Sequence, residues 1–282
     1  MRNVMSIFVN RFKTDEDCYK FLSEIKWPDG RFVCAKCGNT TYHKGRSPYS
    51  RRCNQCKYDE SVTAGTMFNK LKFPILIAFK IVFSMVAMDK GNSSVELAET
   101  HGIQRKTCQT FKRKVQQAMG SMQQKRLTGT VEIGIVNIAK HRAQDSWWVK
   151  DPERYIAIAV EVGDGQSGRA FAVVVNENKQ TELIPVIERY VHPDAKILTT
   201  ERYGYKTAMK KRFKNLSFIE WEEYTLLYEH FHAVQDWIGK EYGHYTSSYL
   251  QGFLDEFHFR YNRRHNYWRY FECLIREMAK NN

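Results

Sequence analysis

Apolar and polar positions recur with two different periods along this chain, and the change falls near residue 129. Before it the spacing is helical. Thr14-Asp15-Glu16-Asp17 supplies an acidic N-terminal cap, and Cys18, Phe21, Leu22 and Ile25 follow on one face, which predicts helix within residues 1–29. The segment 73–88 is apolar almost all round, with Pro74 suited to a first turn. Lys80 interrupts it and Asp89-Lys90-Gly91 ends it, so it reads as a buried helix and not as a membrane anchor. Asn92-Ser93-Ser94 then caps a short helix carrying Val95, Leu97 and Ala98. A turn at His101-Gly102-Ile103 leads into a second helix through Gln104 and Val115. Beyond 129 the residues alternate as in strands, at 131–138, 155–162 and 169–175. Gly163-Asp164-Gly165 is a hairpin signal between the second and third. A helix at about 181–191 precedes a fourth strand at 196–199, and the remainder reads as helical, including 226–242 and a tail of mixed charge after Trp268.

Cysteine spacing adds chemistry to this pattern. Cys34-Ala-Lys-Cys37 and Cys53-Asn-Gln-Cys56 form two C-x-x-C knuckles with fifteen residues between them, which places four thiolates around one tetrahedral Zn²⁺. Two disulfides or four unrelated core thiols are the alternative. With all four positions filled by protein the zinc is structural, one per chain. Gly38 follows the first knuckle, where a Cβ would crowd the sulfurs. Cys18, Cys108 and Cys273 stand singly, and with no signal peptide or bilayer-spanning run they read as reduced thiols of a cytoplasmic protein. Forty-four Lys and Arg against thirty-one Asp and Glu give a net charge of +13, an excess that attracts phosphate backbones. Together with the zinc ribbon this excess makes nucleic acid the leading partner; a homo-oligomer or a protein partner stays open.

The candidate DNA contacts fall in three groups. Arg51, Arg52 and Lys57, with Arg46, surround the zinc knuckles. The paired helices of 92–120 resemble a helix-turn-helix, whose second helix places Gln104, Arg105, Lys106 and Gln109 toward base edges and Lys112, Arg113 and Lys114 toward phosphates. An ordinary solvated helical hairpin is the alternative. Arg260, Asn262, Arg263 and Arg264 near the C-terminus form the third group. Three strands, a helix, a strand and then helices predict an α/β, RNase H-like mixed sheet with flanking helices. A small zinc ribbon and a helix-turn-helix-like segment precede it, giving segments 1–68, 69–125 and 126–282.

These residues together resemble the insertion-sequence transposases that carry an N-terminal zinc ribbon and a DDE-type, RNase H-like domain. The marks are the four ribbon cysteines followed by Thr63-Ala-Gly-Thr-Met67, the opening Val131-Glu132, Leu198-Thr199 before Gly204-Tyr205, and Val234-x-x-Trp237-Ile238. The closing block Leu254-Asp-Glu-Phe257-x-Phe259-Arg260-x-Asn262-Arg263 is the most specific. The resemblance implies DNA cutting and joining by two Mg²⁺ held on carboxylates. Where it calls for two Asp and then, on the later helix, for an acid, Asn or His, this sequence has Gly134, Thr200 and Tyr228, and the Lys expected about seven residues after the third is Gln235. Glu132, Glu201 and Glu229 lie one or two residues away, where a slip along a strand turns or displaces the side chain. His230 and His232, two apart on a helix, do not face one ligand and read as surface or packing residues. No Mg²⁺ is expected. The sequence thus reads as a transposase-derived DNA-binding protein without nuclease activity. A transposase working through displaced carboxylates, and a protein-interaction platform rich in C-terminal aromatics, are the alternatives.

Overall fold

The computed structural model describes residues 2–87, 93–123, 125–138, 154–163, 166–200, 206–224, 226–242, 247–263 and 267–280. Asp164 and Gly165 of the expected hairpin turn, Glu201, Gly204, Tyr205 and Arg264 lie outside them. Chain contacts divide the protein into two compact units, Met1–Ala118 with His265–Asn282, and Met119–Arg264.

The first unit opens with helices α1 (Arg2–Arg11) and α2 (Asp15–Lys26). The acidic tetrad does what its sequence predicts. Thr14 and Asp17 close a capping box on α2, satisfying amides that the helix itself leaves without acceptors. Strands β1 (Tyr42–Lys44), β2 (Arg51–Cys53) and β3 (Asp59–Glu60) form a small antiparallel sheet in that order. Strand β3 ends at Glu60, and residues 61–66 turn the chain away from it. Helix α3 (Ile75–Ala87) is the apolar run, and nine of its residues are buried. Asp15 reaches from α2 to accept the amide of Leu76 at 2.8 Å, so one carboxylate caps a helix sixty-one residues away in sequence. Helices α4 (Ser94–His101) and α5 (Arg105–Ser121) follow, separated by a turn in which Gly102 takes the left-handed conformation.

The second unit is a five-stranded mixed sheet between two helical layers. Its strands are β4 (Thr130–Asn137), β5 (Tyr155–Gly163), β6 (Gln166–Val175), β7 (Lys196–Thr200) and β8 (Leu216–Ile219), in spatial order β6-β5-β4-β7-β8. The first three strands pair antiparallel, while β7 and β8 run parallel to β4. Alternation sorts the sheet's side chains by face. Val131, Ile133 and Ile135 pack with helix α6 (Leu183–Tyr190) and with Met209 of α7 (Lys206–Arg212). Ile156, Ile158 and Val160 pack with helices α8 (Leu226–Tyr242) and α9 (Ser247–Tyr261). This is the RNase H-like arrangement expected from the order of elements. The sequence reading lacked β8, because a four-residue edge strand after a basic helix shows one buried residue and no alternation.

The last helix, α10 (Tyr267–Met278), belongs to the first unit, although the sequence reading ran the third segment through 282. Phe271 is fully buried there, its ring 5.5 Å from Phe8, 5.7 Å from Phe83 and 6.0 Å from Phe12. The carbonyl of Met278 accepts the amide of Met67 at 2.9 Å.

Candidate metal centre, DNA-facing residues and the catalytic positions

The two knuckles are built alike. The amide of Gly38 donates to the carbonyl of Cys34 at 2.9 Å, and the amide of Lys57 donates to the carbonyl of Cys53 at 3.1 Å. Gly38 and Lys57 both take positive φ, +72° and +59°, which turns each loop so that its sulfurs converge; a Cβ at Gly38 would meet nothing within 4 Å, so the backbone conformation and not crowding of the sulfurs favours glycine there. Cys34 Sγ lies 3.5 Å from Cys56 Sγ, Cys37 Sγ lies 3.6 Å from Cys53 Sγ, and the four sulfurs all fall within 4.8 Å of one another. A tetrahedral zinc with bonds near 2.3 Å requires sulfurs roughly 3.8 Å apart, so the cluster fits the ion. One structural Zn²⁺ belongs here. The amide side chain of Asn39 approaches Cys53 Sγ at 3.5 Å and supports the thiolate from outside. A buried ion pair, Lys26 Nζ to Glu60 Oε1 at 2.9 Å, ties the end of β3 to α2.

Packing redistributes the basic candidates. Arg51 is held between the rings of Trp27, at 4.5 Å, and Tyr42, at 4.2 Å, and donates to the carbonyl of Gly30. These contacts brace the ribbon. Arg52 is half-buried, and exposed Lys57 donates to the carbonyl of Asn54 at 2.7 Å. On α5, Gln104, Arg105 and Lys106 are exposed at the N-terminal end and Gln109 is half-buried. Lys112, at 4% exposure, is buried, and Lys114 donates to the carbonyl of Met67 at 3.0 Å; both are therefore scaffold groups, while Arg113 stays exposed.

The closing block is also structural. Asn262 accepts the amide of Ala170 at 2.9 Å and donates to its carbonyl at 2.8 Å. Gln251 accepts the amide of Val174 at 2.9 Å. Both side chains thus pair with β6, an edge strand of the sheet among the described residues. Arg263 lies over the Phe259 ring at 4.4 Å and donates to the carbonyl of Met122 at 2.9 Å. Asn262 and Arg263 thus brace the fold. Arg260 is half-buried.

Of the three positions where the resemblance calls for metal-binding residues, the sheet brings together two. Glu132 of β4 stands opposite Leu198 of parallel β7, so Gly134 and Thr200, each two residues further, leave their strands at one level and on one face. The space before them holds Tyr224, which is buried. Its hydroxyl donates to the carbonyl of Ile133 at 2.6 Å, and a Cβ at Gly134 would lie 3.4 Å from that oxygen and 3.4 Å from Leu227 Cδ1. Burial pushes the Tyr224 phenol up, against hydrogen bonds from Thr199 and Thr200 that pull the other way. Glu132, 4% exposed, accepts the amide of Leu227 at 2.7 Å and is spent on the first turn of α8. Tyr228, at 41% exposure, sits on the outer side of α8 with its ring 5.9 Å from Trp221 and 4.8 Å from His232. Glu229 is exposed beside it, and Gln235 is buried. Tyr228 is thus not the residue that faces the Gly134–Thr200 pair; Tyr224 is, four residues earlier, and no acid pattern in the sequence marks it. Among the described residues, this centre offers no carboxylate set that fits two Mg²⁺ ions.

His230, expected as a surface or packing residue, is in the core. Its Nε2 meets His258 Nε2 at 3.0 Å, and His258 Nδ1 donates to the carbonyl of Leu254 at 2.7 Å. The carbonyl only accepts, so His258 offers its Nε2 lone pair and His230 donates the shared proton. Burial holds His230 well below the ordinary imidazole range and lowers His258 to about 4. His232 is exposed.

No curated protein matches the chain. Two domain families do. Residues 13–59 match the transposase zinc-ribbon domain, and residues 124–262 match the ISXO2-like transposase domain. The first covers the four cysteines and the second the mixed sheet with its closing block, in the order that the geometry gives them. The chain therefore belongs to the insertion-sequence transposases that join a zinc ribbon to an ISXO2-like transposase domain.

Proposed function

We propose that this protein is a transposase-derived DNA-binding protein that neither cuts nor joins DNA, retained for binding after the chemistry was lost. The observation that carries the reading is Tyr224. Its phenol occupies the space in front of Gly134 and Thr200, where two carboxylates would have to converge on metal. Loss of an acid at one position would leave an open site. Filling the space with a buried, hydrogen-bonded tyrosine, and using Glu132 to cap α8, commits the centre to the folded scaffold. The zinc cluster and the edge-bracing Asn262 keep their structural partners, so the changes concentrate on the catalytic positions.

Double-stranded DNA is the partner in this reading. Gln104, Arg105 and Lys106 at the exposed start of α5, after the α4–Gly102 turn, meet base edges as a recognition helix does, and the +13 charge supplies the long-range attraction. The protein then works on chromosomal DNA in the cytoplasm, nucleoid-associated in a prokaryote.

A strand-cleavage and strand-transfer assay in Mg²⁺ and in Mn²⁺ tests this on the unmodified protein, with Glu132→Gln, Glu201→Gln and Glu229→Gln beside it. No product is expected from any of them. Metal-dependent cutting abolished by one of these substitutions would establish an enzyme that uses displaced carboxylates.

A further inference from the structure

We infer that the groove between helix α2 and the β1–β2 hairpin of the ribbon is a binding site for unpaired nucleic acid, taking a base between tyrosines and its phosphates on the hairpin. This rests on the DNA-binding reading for the class of ligand and adds the form of the strand.

The groove is a cavity of about 940 Å³. Tyr19 lines it from α2, Tyr49 and Tyr42 from the hairpin, with Lys44 and Arg46 on the hairpin side and Glu16 on the helix side. The Tyr42 ring is fixed between Phe32, at 5.2 Å, and the Arg51 guanidinium, at 4.2 Å. Tyr19 and Tyr49 stack on no other ring among the described residues. Two such rings, one from the helix side and one from the hairpin side, with a fixed third beside them, offer stacking faces to a planar group.

Tyr49 is placed there at a cost. It takes φ +56°, a left-handed conformation in which glycine or asparagine is at ease and a bulky aromatic is strained. The loop leaves it no alternative. The amide of Gly45 donates to the carbonyl of Ser50 at 2.9 Å, the amide of Ser50 to the carbonyl of Ser47 at 3.1 Å, and the amide of Arg46 to Asp59 Oδ2 at 3.0 Å. A strained residue held by a tight loop, with its ring on a cavity, points to a role for the ring outside the fold.

Charge selects the occupant. Exposed Lys44 and Arg46 suit phosphates on one side, while Glu16 on the other accepts from the exocyclic amines of bases and repels phosphates. A strand therefore lies with its backbone along the hairpin and its bases toward α2. In a duplex the bases are stacked and paired, so none is free to enter.

The test is fluorescence anisotropy of the full chain with a labelled single strand of about twelve nucleotides and with the duplex of the same sequence. The wild type should bind both. Tyr49→Ala and Tyr49→Gly should each weaken single-strand binding roughly tenfold and leave duplex binding unchanged, while Tyr49→Trp keeps both. Tyr49→Gly also separates binding from folding, because it relieves the left-handed strain and should hold or raise the melting temperature with zinc content unchanged. Unchanged single-strand affinity in both variants, an equal loss on duplex, or a fall in stability with Tyr49→Gly would overturn the inference. A wild type that binds duplex alone overturns this site and leaves the DNA-binding reading standing; one that binds neither form, as when the groove takes a peptide, overturns both.

Discussion

Glu132 Oε2 accepts the amide of Leu227 at 2.7 Å, which makes a strand carboxylate the cap of a helix ninety-five residues away in sequence. The acid lies two positions from Gly134, yet its lone pair is directed at a backbone amide that α8 leaves without an internal acceptor.

Removing that carboxylate should therefore cost stability. Glu132→Ala should destabilise the second unit by about 1–3 kcal/mol, and Glu132→Gln by less, because the amide oxygen still accepts. Chemical unfolding reads the difference. Equal stability in all three proteins would show that the cap contributes nothing.

Tyr224 should decide whether acids placed at Gly134 and Thr200 bind metal. Gly134→Asp with Thr200→Asp should leave Mn²⁺ unbound by calorimetry and should lower stability by about 1–3 kcal/mol, because the new side chain meets the phenol and Leu227. Adding Tyr224→Ala opens the space, and Mn²⁺ binding should then appear. Metal binding with Tyr224 intact would show that the ring does not obstruct the centre.

The two basic groups on α5 should separate by experiment. Arg105→Ala or Lys106→Ala should reduce discrimination between DNA sequences without changing stability. Lys112→Ala or Lys114→Ala should lower the melting temperature, each costing about 1 kcal/mol or more through lost buried contacts. Affinity should fall steeply with salt in every case. A uniform loss of affinity across all four, with no change in stability, would remove the recognition-helix assignment.

Zinc removal should unfold the ribbon. A chelator, or Cys37→Ser, should release one equivalent of metal per chain and expose residues 30–60 to protease, since the binding energy of a structural zinc is folding energy. A ribbon that stays protease-resistant without metal would contradict this.

Acid should destabilise the second unit through its imidazole pair. Both histidines are held neutral in the fold, with His258 lowered to about 4, so the unfolded chain takes up protons first. Their contribution is complete above the ordinary pKa near 6.5 and is lost as pH falls toward 4, on the order of 3 kcal/mol for His258. Asp255 acts in the opposite sense. Burial raises it to about 6, so its contribution is complete below the ordinary aspartate range and is lost as pH rises through 6. Asp255→Asn should accordingly raise the melting temperature at pH 7 and leave it unchanged near pH 4. His258→Gln should flatten the acid limb, and a limb unaltered by that substitution would assign it elsewhere.

What the sequence determined by itself is local. The four zinc ligands come from two knuckles whose geometry is closed within a few residues, so spacing alone reports it. The cap of α2, the apolar length of α3 and the bounds of α8 follow from short-range periodicity, which side-chain direction enforces at each turn. The blocks around Glu132 and Asn262 were enough to resemble the family. Only the tertiary structure decided which polar residues remain for function. Asn262 finds its partner ninety-two residues away, Tyr224 ninety-one and Lys114 forty-seven, and no local pattern encodes a hydrogen bond across such separations. A basic residue on a helix reads the same whether it meets a phosphate or a buried carbonyl. Packing alone distinguished Lys112 from Lys106, and placed Tyr224 in front of Gly134 and Thr200.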